Sequence, residues 1–152
     1  MTATIKTKAF GDIEVDDDRV IEFSEGILGF DFVKKFVILE EKGSPFVWLQ
    51  ALDEPDLAFV MISPLEFMDE YSLIISQTDL DDVDAKNPEE LTVYAIVTIP
   101  SHNTADMTAN LQGPVIINTQ KRRGKQAISL SDKYRVRHKI LEEMNKRAKR
   151  EG

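Results

Sequence analysis

Apolar residues in this chain come in short runs, none longer than the six of Leu57–Ile62, and turn-forming residues interrupt them every 8–12 positions. That spacing leaves no room for long helices and favours strands joined by tight turns. Thr4–Phe10 alternates polar and apolar side chains, and Gly11-Asp12 offers a two-residue turn into Ile13–Val15. Val20–Phe23 is a second β-rich run, broken by Ser24–Gly26. Gly29–Asp31 leads into a short helical turn expected at 33–35. Phe36–Glu40 and Phe46–Gln50 flank Glu41–Pro45, where Gly43 permits a positive φ and Pro45 stops pairing. Ala58–Ile62 reads as a strand buried on both sides, ended by Pro64. Leu91–Ile99, Met107–Leu111, Val115–Asn118 and Gln126–Leu130 follow as strands, with turns at 112–114 and 121–125. Thr78 is placed to cap a single turn through the aspartates, and Pro88 to open another. The expectation is an all-β, compact, barrel-like fold of about ten short strands with short helical turns and a C-terminal helical tail.

One domain is expected over 1–139. Tyr134, Val136 and His138 alternate as in a last strand near 133–139. Ile140, Leu141, Met144 and Ala148 then fall at helical spacing, so 140–152 reads as a basic tail, helical and fraying before Gly152. Its apolar stripe fits either packing on the barrel or docking in a partner's groove.

Composition narrows the chemistry. There are no cysteines and two histidines, His102 and His138, in unrelated contexts. Thiolate metal sites and cysteine nucleophiles are thereby removed, and no HExxH, GxGxxG, GxxxxGK[ST] or GxSxG spacing occurs. Asp79, Asp81, Asp82 and Asp84 imitate a calcium loop, but Asp84 stands where the sharp turn needs Gly, so an acidic solvated loop is expected. The reading is of no enzyme, no catalytic residue, no metal and no cofactor. No apolar stretch approaches a membrane span, no signal peptide is recognisable, and a cytoplasmic location is expected.

The formal charge of −8 is unevenly spread. Residues 1–100 hold 22 acidic against 7 basic side chains, a net of −15, while 101–152 hold 5 against 12, a net of +7. Such an acidic stretch repels nucleic acid and attracts basic proteins. The basic run Lys121–Lys125 and the tail support an alternative, a direct RNA-binding β-barrel.

Two segments together resemble the flagellar assembly factor FliW family. Val20–Phe30 (VIEFSEGILGF) is similar to that family's I-x-F-x-x-G-I-x-G-F signature, and Thr108–Asn118 (TANLQGPVIIN) to its N-L-x-x-P-x-x-I-N block. Val93–Pro100 fits its penultimate apolar strand, and the likeness runs over roughly 4–140. The basic tail beyond the Tyr134–Arg137 stretch is a departure, since members often finish soon after it. The resemblance implies a non-enzymatic β-barrel-like protein, monomeric, with two competing partners. These are flagellin before export, and the translational repressor CsrA, a carbon storage regulator that binds RNA. Direct nucleic-acid and membrane binding are not implied. The residues put forward for partner binding are Phe30, Asp31, Phe32, Asp79, Asp81, Asp82, Asp84, Met107 and Asn110. Phe23 and Phe30 also fit the core, Asn110 and Asn118 also fit strand bridging, and burial is expected for Trp48.

Overall fold

The computed structural model describes residues 2–151. It contains ten strands: β1 (Thr2–Thr7), β2 (Gly11–Asp16), β3 (Ile21–Glu22), β4 (Lys35–Glu40), β5 (Phe46–Ala51), β6 (Ala58–Ile62), β7 (Thr92–Thr98), β8 (Thr108–Asn118), β9 (Arg123–Gln126) and β10 (His138–Lys139). Two α-helices, α1 (Gln77–Asp82) and α2 (Ile140–Glu151), and four 3-10 turns complete the chain. Strands β8-β7-β6-β5-β4-β3-β9 follow one another, and β9 pairs back onto β8, closing a seven-stranded barrel. The fold is all-β. Every pairing in the ring is antiparallel except the short parallel contact of β3 with β9.

Alternation along the strands fills the barrel and coats it. Phe36, Leu49, Ala51, Met61, Val115 and Ile117 point inward with Ile21, Phe23 and Ile27. Gly124 has no side chain because the Phe23 ring occupies that space; a Cβ there would lie 2.5 Å from it. The outward residues are covered in three places. Val37 and Leu39 lie under the β1–β2 hairpin. Ile62, Ala95, Ala109 and Leu111 lie under Phe67, Tyr134 and Ile140. Ile116 and Ala127 lie under a strap bearing Leu80, Val83 and Ala85. Strands covered on both faces read as unbroken apolar runs, which is why Val115–Ile117 looks like core throughout.

Several sequence expectations are corrected. The first hairpin loop is Lys8–Phe10 and precedes Gly11 (φ 66°), where a turn at Gly11-Asp12 was expected. Residues 33–35 form no helical turn, because β4 pairing already begins at Lys35. In β6 only Met61 and Ile62 are fully buried; Ala58, Phe59 and Val60 are half-buried. Residues 112–114 do not end a strand. Strand β8 runs through them as a bulge between the pairs Tyr94–Val115 and Ile96–Asn110. Its freed groups find other partners: Leu111 and Gln112 N–H donate to the Arg135 carbonyl, while Gln112 and Pro114 carbonyls accept from Ser129 and Ala127. Strand β9 begins at Arg123, immediately after Arg122 in the left-handed region (φ 55°), so the hairpin tip is shorter than 121–125.

The strand expected over 133–139 shrinks to His138–Lys139. Side chains have closed 134–138 into a turn: Tyr134 Oη accepts from Ser72 N–H, and His138 Nε2 accepts from Arg135 N–H at 2.8 Å. Ser76, not Thr78, caps α1, its Oγ accepting from Asp79 N–H. Pro88 does open a 3-10 turn, boxed by Asn87 and Glu90. Trp48 is half-buried, edge-on to Phe10. Helix α2 occupies the tail, anchored by buried Ile140 and by Arg147, which donates to the Leu65 carbonyl. Gly152 lies outside the described residues.

Candidate functional site

The segment after β3 makes two tight turns. Gly26 (φ 68°) and Gly29 (φ 88°) both take the left-handed conformation that glycine adopts without cost. At Gly26 there is a second demand, since a Cβ would lie 2.6 Å from the Asp31 Cα. Between these glycines the chain divides its two aliphatic residues. Ile27 is fully buried at the end of the barrel, and Leu28 is 79% exposed at the tip. A relay of amides fixes the tip: Leu28 N–H donates to Gln126 Oε1 (3.0 Å), Gln126 Nε2 to the Gly113 carbonyl (3.0 Å), and Gly113 N–H to Asn110 Oδ1 (2.9 Å).

Leu28 stands at one side of a groove of about 280 Å³, faced by Ile128 and Val136 and floored by Asn110, Gln112, Gly113 and Gln126. Ile128 and Val136 are 56% and 52% exposed. A second hollow adjoins it, reaching Ile27, Phe59 and Ile96 at the barrel end, with Arg137 at its edge. Among the described residues no carboxylate lines either hollow, in a chain with 27 acidic residues. Exposed Leu130 and Ile74 extend the apolar surface, joined by Leu130 N–H donating to the Ile74 carbonyl. Aliphatic walls over an amide floor suit an apolar stripe of another protein better than a reaction centre.

Of the residues expected from the sequence, Asn110 lies in this groove. Phe30 is half-buried against Phe59 (5.2 Å between rings) and tilts toward Phe32, which is 67% exposed; Asp31 is exposed beside them. Met107 is half-buried on the Tyr134–Ile140 cluster. The four aspartates are not the solvated loop expected. Lys125 Nζ sits 2.8 Å from Asp79 and 2.6 Å from Asp82, inside the strap, and Asp79 is buried. Burial opposes the charge on Lys125, but hydrogen bonds and attraction from both carboxylates outweigh it and hold its pKa above the ordinary lysine value. Asp81 and Asp84 are exposed, Asp84 loosely paired with Lys121, while Asp82 is half-buried. Asn118 bridges internally, its Nδ2 donating to the Val83 and Asp84 carbonyls.

Sequence reasoning missed Leu28, Ile128 and Val136. The sequence carried no signal separating Leu28 from its neighbour Ile27, since both stand between the turn glycines and only Leu28 is exposed. Ile128 alternates with buried Ala127 and Ser129, a pattern indistinguishable from core until one knows which face is covered. His138 is a hydrogen-bond acceptor at Nε2, and burial lowers its pKa, with Glu143 opposing and Arg135 assisting. Among the described residues no group of three or more His, Asp or Glu is placed to hold a metal ion. Among the same described residues no helix is long and apolar enough to cross a membrane.

A sequence model described as "FliW protein" matches residues 4–140. This chain belongs to the FliW family. It is 42% identical over 145 residues to the flagellar assembly factor FliW of Leptospira biflexa, covering 95% of both chains. The FliW of Treponema denticola is 41% identical over 141 residues, which is 93% of this chain and 95% of that one. The crystal structure of a flagellar assembly factor FliW superposes with a TM-score of 0.83 at 35% identity, covering 91% of this chain and 96% of that one. The two segments first noticed as FliW-like are brought together by the fold: one supplies the Leu28 turn, the other the Asn110–Gly113 floor of the same groove.

Proposed function

We propose that this chain is a non-catalytic assembly factor that holds flagellin in the cytoplasm and, once flagellin is exported, binds the repressor CsrA. The observation that carries this is the groove between Leu28, Ile128 and Val136, to which the two FliW-like segments contribute Leu28 and the floor residues Asn110, Gln112 and Gly113. An amphipathic flagellin helix can lay its apolar stripe there, the mode of helix-in-groove recognition. The acidic surface suits a basic RNA-binding partner, whose bound phosphates it would repel. Flagellin and the repressor then exchange by mass action, without covalent chemistry.

The reading is tested by immobilising monomeric flagellin, loading this chain and titrating in purified CsrA. Release of the chain in proportion to added CsrA is the expected result. Failure of flagellin to retain the chain at micromolar concentration contradicts the reading.

A further inference from the structure

Strands β1 and β2 form a two-stranded sheet of their own, separate from the barrel ladder. The hairpin rests on the barrel by side chains, with Ile5, Phe10, Ile13 and Val15 against Val37, Leu39 and Trp48. Among the described residues its one backbone link to the barrel is Lys8 N–H donating to Gln50 Oε1, and that lies in the turn. The outer edges of β1 and β2 therefore carry rows of backbone donors and acceptors with no partner among the described residues. Thr2, Ala3, Thr4 and Lys6 are exposed. Ala3 is open to solvent although it shares a face with the barrel-facing Ile5, so this end of β1 overhangs the barrel.

The two edges differ in how they are guarded. Along β2 the solvent face is Asp12, Glu14 and Asp16, all exposed. If two copies met at this edge about a two-fold axis through Glu14, Glu14 would face its own copy and Asp12 would face Asp16. Like charges opposite one another destabilise strand pairing. Along β1 the sequence is Thr-Ala-Thr-Ile-Lys-Thr, without proline and with one charge. A two-fold axis through Thr4 sets Thr4 against Thr4, Ala3 against Ile5 and Lys6 against Thr2. Every facing pair is compatible, and threonine pairs are favourable across strands.

We infer that the β1 edge is a self-association site, where a second copy of this chain adds its own β1 antiparallel to make a four-stranded sheet. The pairing is isologous, as a two-fold contact requires. A strand-to-strand contact is well below the standard interface of ~1,600 Å², so the association is weak, with Kd on the order of 10⁻⁴ M. The chain is single at micromolar concentration and pairs when crowded. The groove at Leu28 takes no part, so this inference stands apart from the flagellin reading.

Sedimentation velocity from ~10 µM to ~1 mM tests it, at concentrations bracketing that affinity. The wild-type sedimentation coefficient is expected to rise toward that of a dimer. Thr4→Lys and Thr4→Glu place like charges on the axis, and each alone is expected to stay single at least tenfold beyond the wild-type midpoint. An equimolar mixture of the two is expected to dimerise again, because the axis then joins opposite charges. Thr4 is exposed, and circular dichroism verifies that both variants fold. A wild type that stays single at ~1 mM, variants that dimerise like wild type, or a mixture no better than its components would each overturn the inference.

Discussion

Tyr71 is the least comfortable residue in the structure. Its ring lies 4.8 Å from that of Tyr134, and its buried hydroxyl has no hydrogen-bond partner. A buried donor without a partner is a cost, so Tyr71→Phe is expected to leave stability unchanged or raise it by about 1 kcal/mol. Burial first, and the neighbouring Tyr134 second, push the Tyr71 pKa up to about 12 from 10.0. The folded chain then keeps a proton that the unfolded chain has lost. This contribution to stability is whole below pH 10 and fades as pH climbs toward 12. Thermal melts of wild type and Tyr71→Phe across that window check it, and the variant should decline less steeply. None of this was legible in the sequence, where Tyr71 stands between Glu70 and Ser72 with nothing to mark its hydroxyl as buried. By contrast the turn roles of Gly26 and Gly29 and the core place of Phe23 followed from local chemistry and hold in the structure.

At the scale of elements, legibility depended on whether a segment's partners were local. The Glu41–Pro45 hairpin and the Pro88 turn satisfy themselves nearby, and both stand where expected. Leu111 and Gln112 N–H find the Arg135 carbonyl across the chain, and the Gln112 and Pro114 carbonyls find Ser129 and Ala127, so a rule based on Gly-Pro and a rule based on alternation both misread these segments. The aspartates failed for the same reason, since Lys125 arrives from a strand 43 residues away to neutralise Asp82. The Leu28 turn gives the sharpest prediction at this scale. Gly26→Ala combines a positive φ with a clash against the Asp31 backbone, and should cost about 2–4 kcal/mol by a shift in the denaturant midpoint. Where the variant remains folded, it should bind flagellin at least tenfold more weakly, because the tip carrying Leu28 moves.

Across the whole molecule, the barrel strands are filled inside and coated outside, while the exposed Leu28, Ile128 and Val136 line one groove with no carboxylate among its described lining residues. Charge is unevenly spread, a net of −15 over residues 1–100 and +7 over 101–152. On the function proposed above, a basic regulator would be drawn to the acidic part of this surface by long-range attraction, which screening weakens. Asp81→Asn with Asp84→Asn, the two solvent-facing carboxylates of the α1 strap, should weaken relief of CsrA–RNA binding more at low than at high ionic strength. Equal effects at both would remove the electrostatic part of the account. The central claim concerns the groove, and isothermal titration of monomeric flagellin tests it most directly. Leu28→Asp combined with Val136→Glu leaves the core untouched, since both side chains are exposed. The account expects wild type to bind and the double variant to bind at least tenfold more weakly with an unchanged melting temperature. Equal affinities for the two proteins would contradict it.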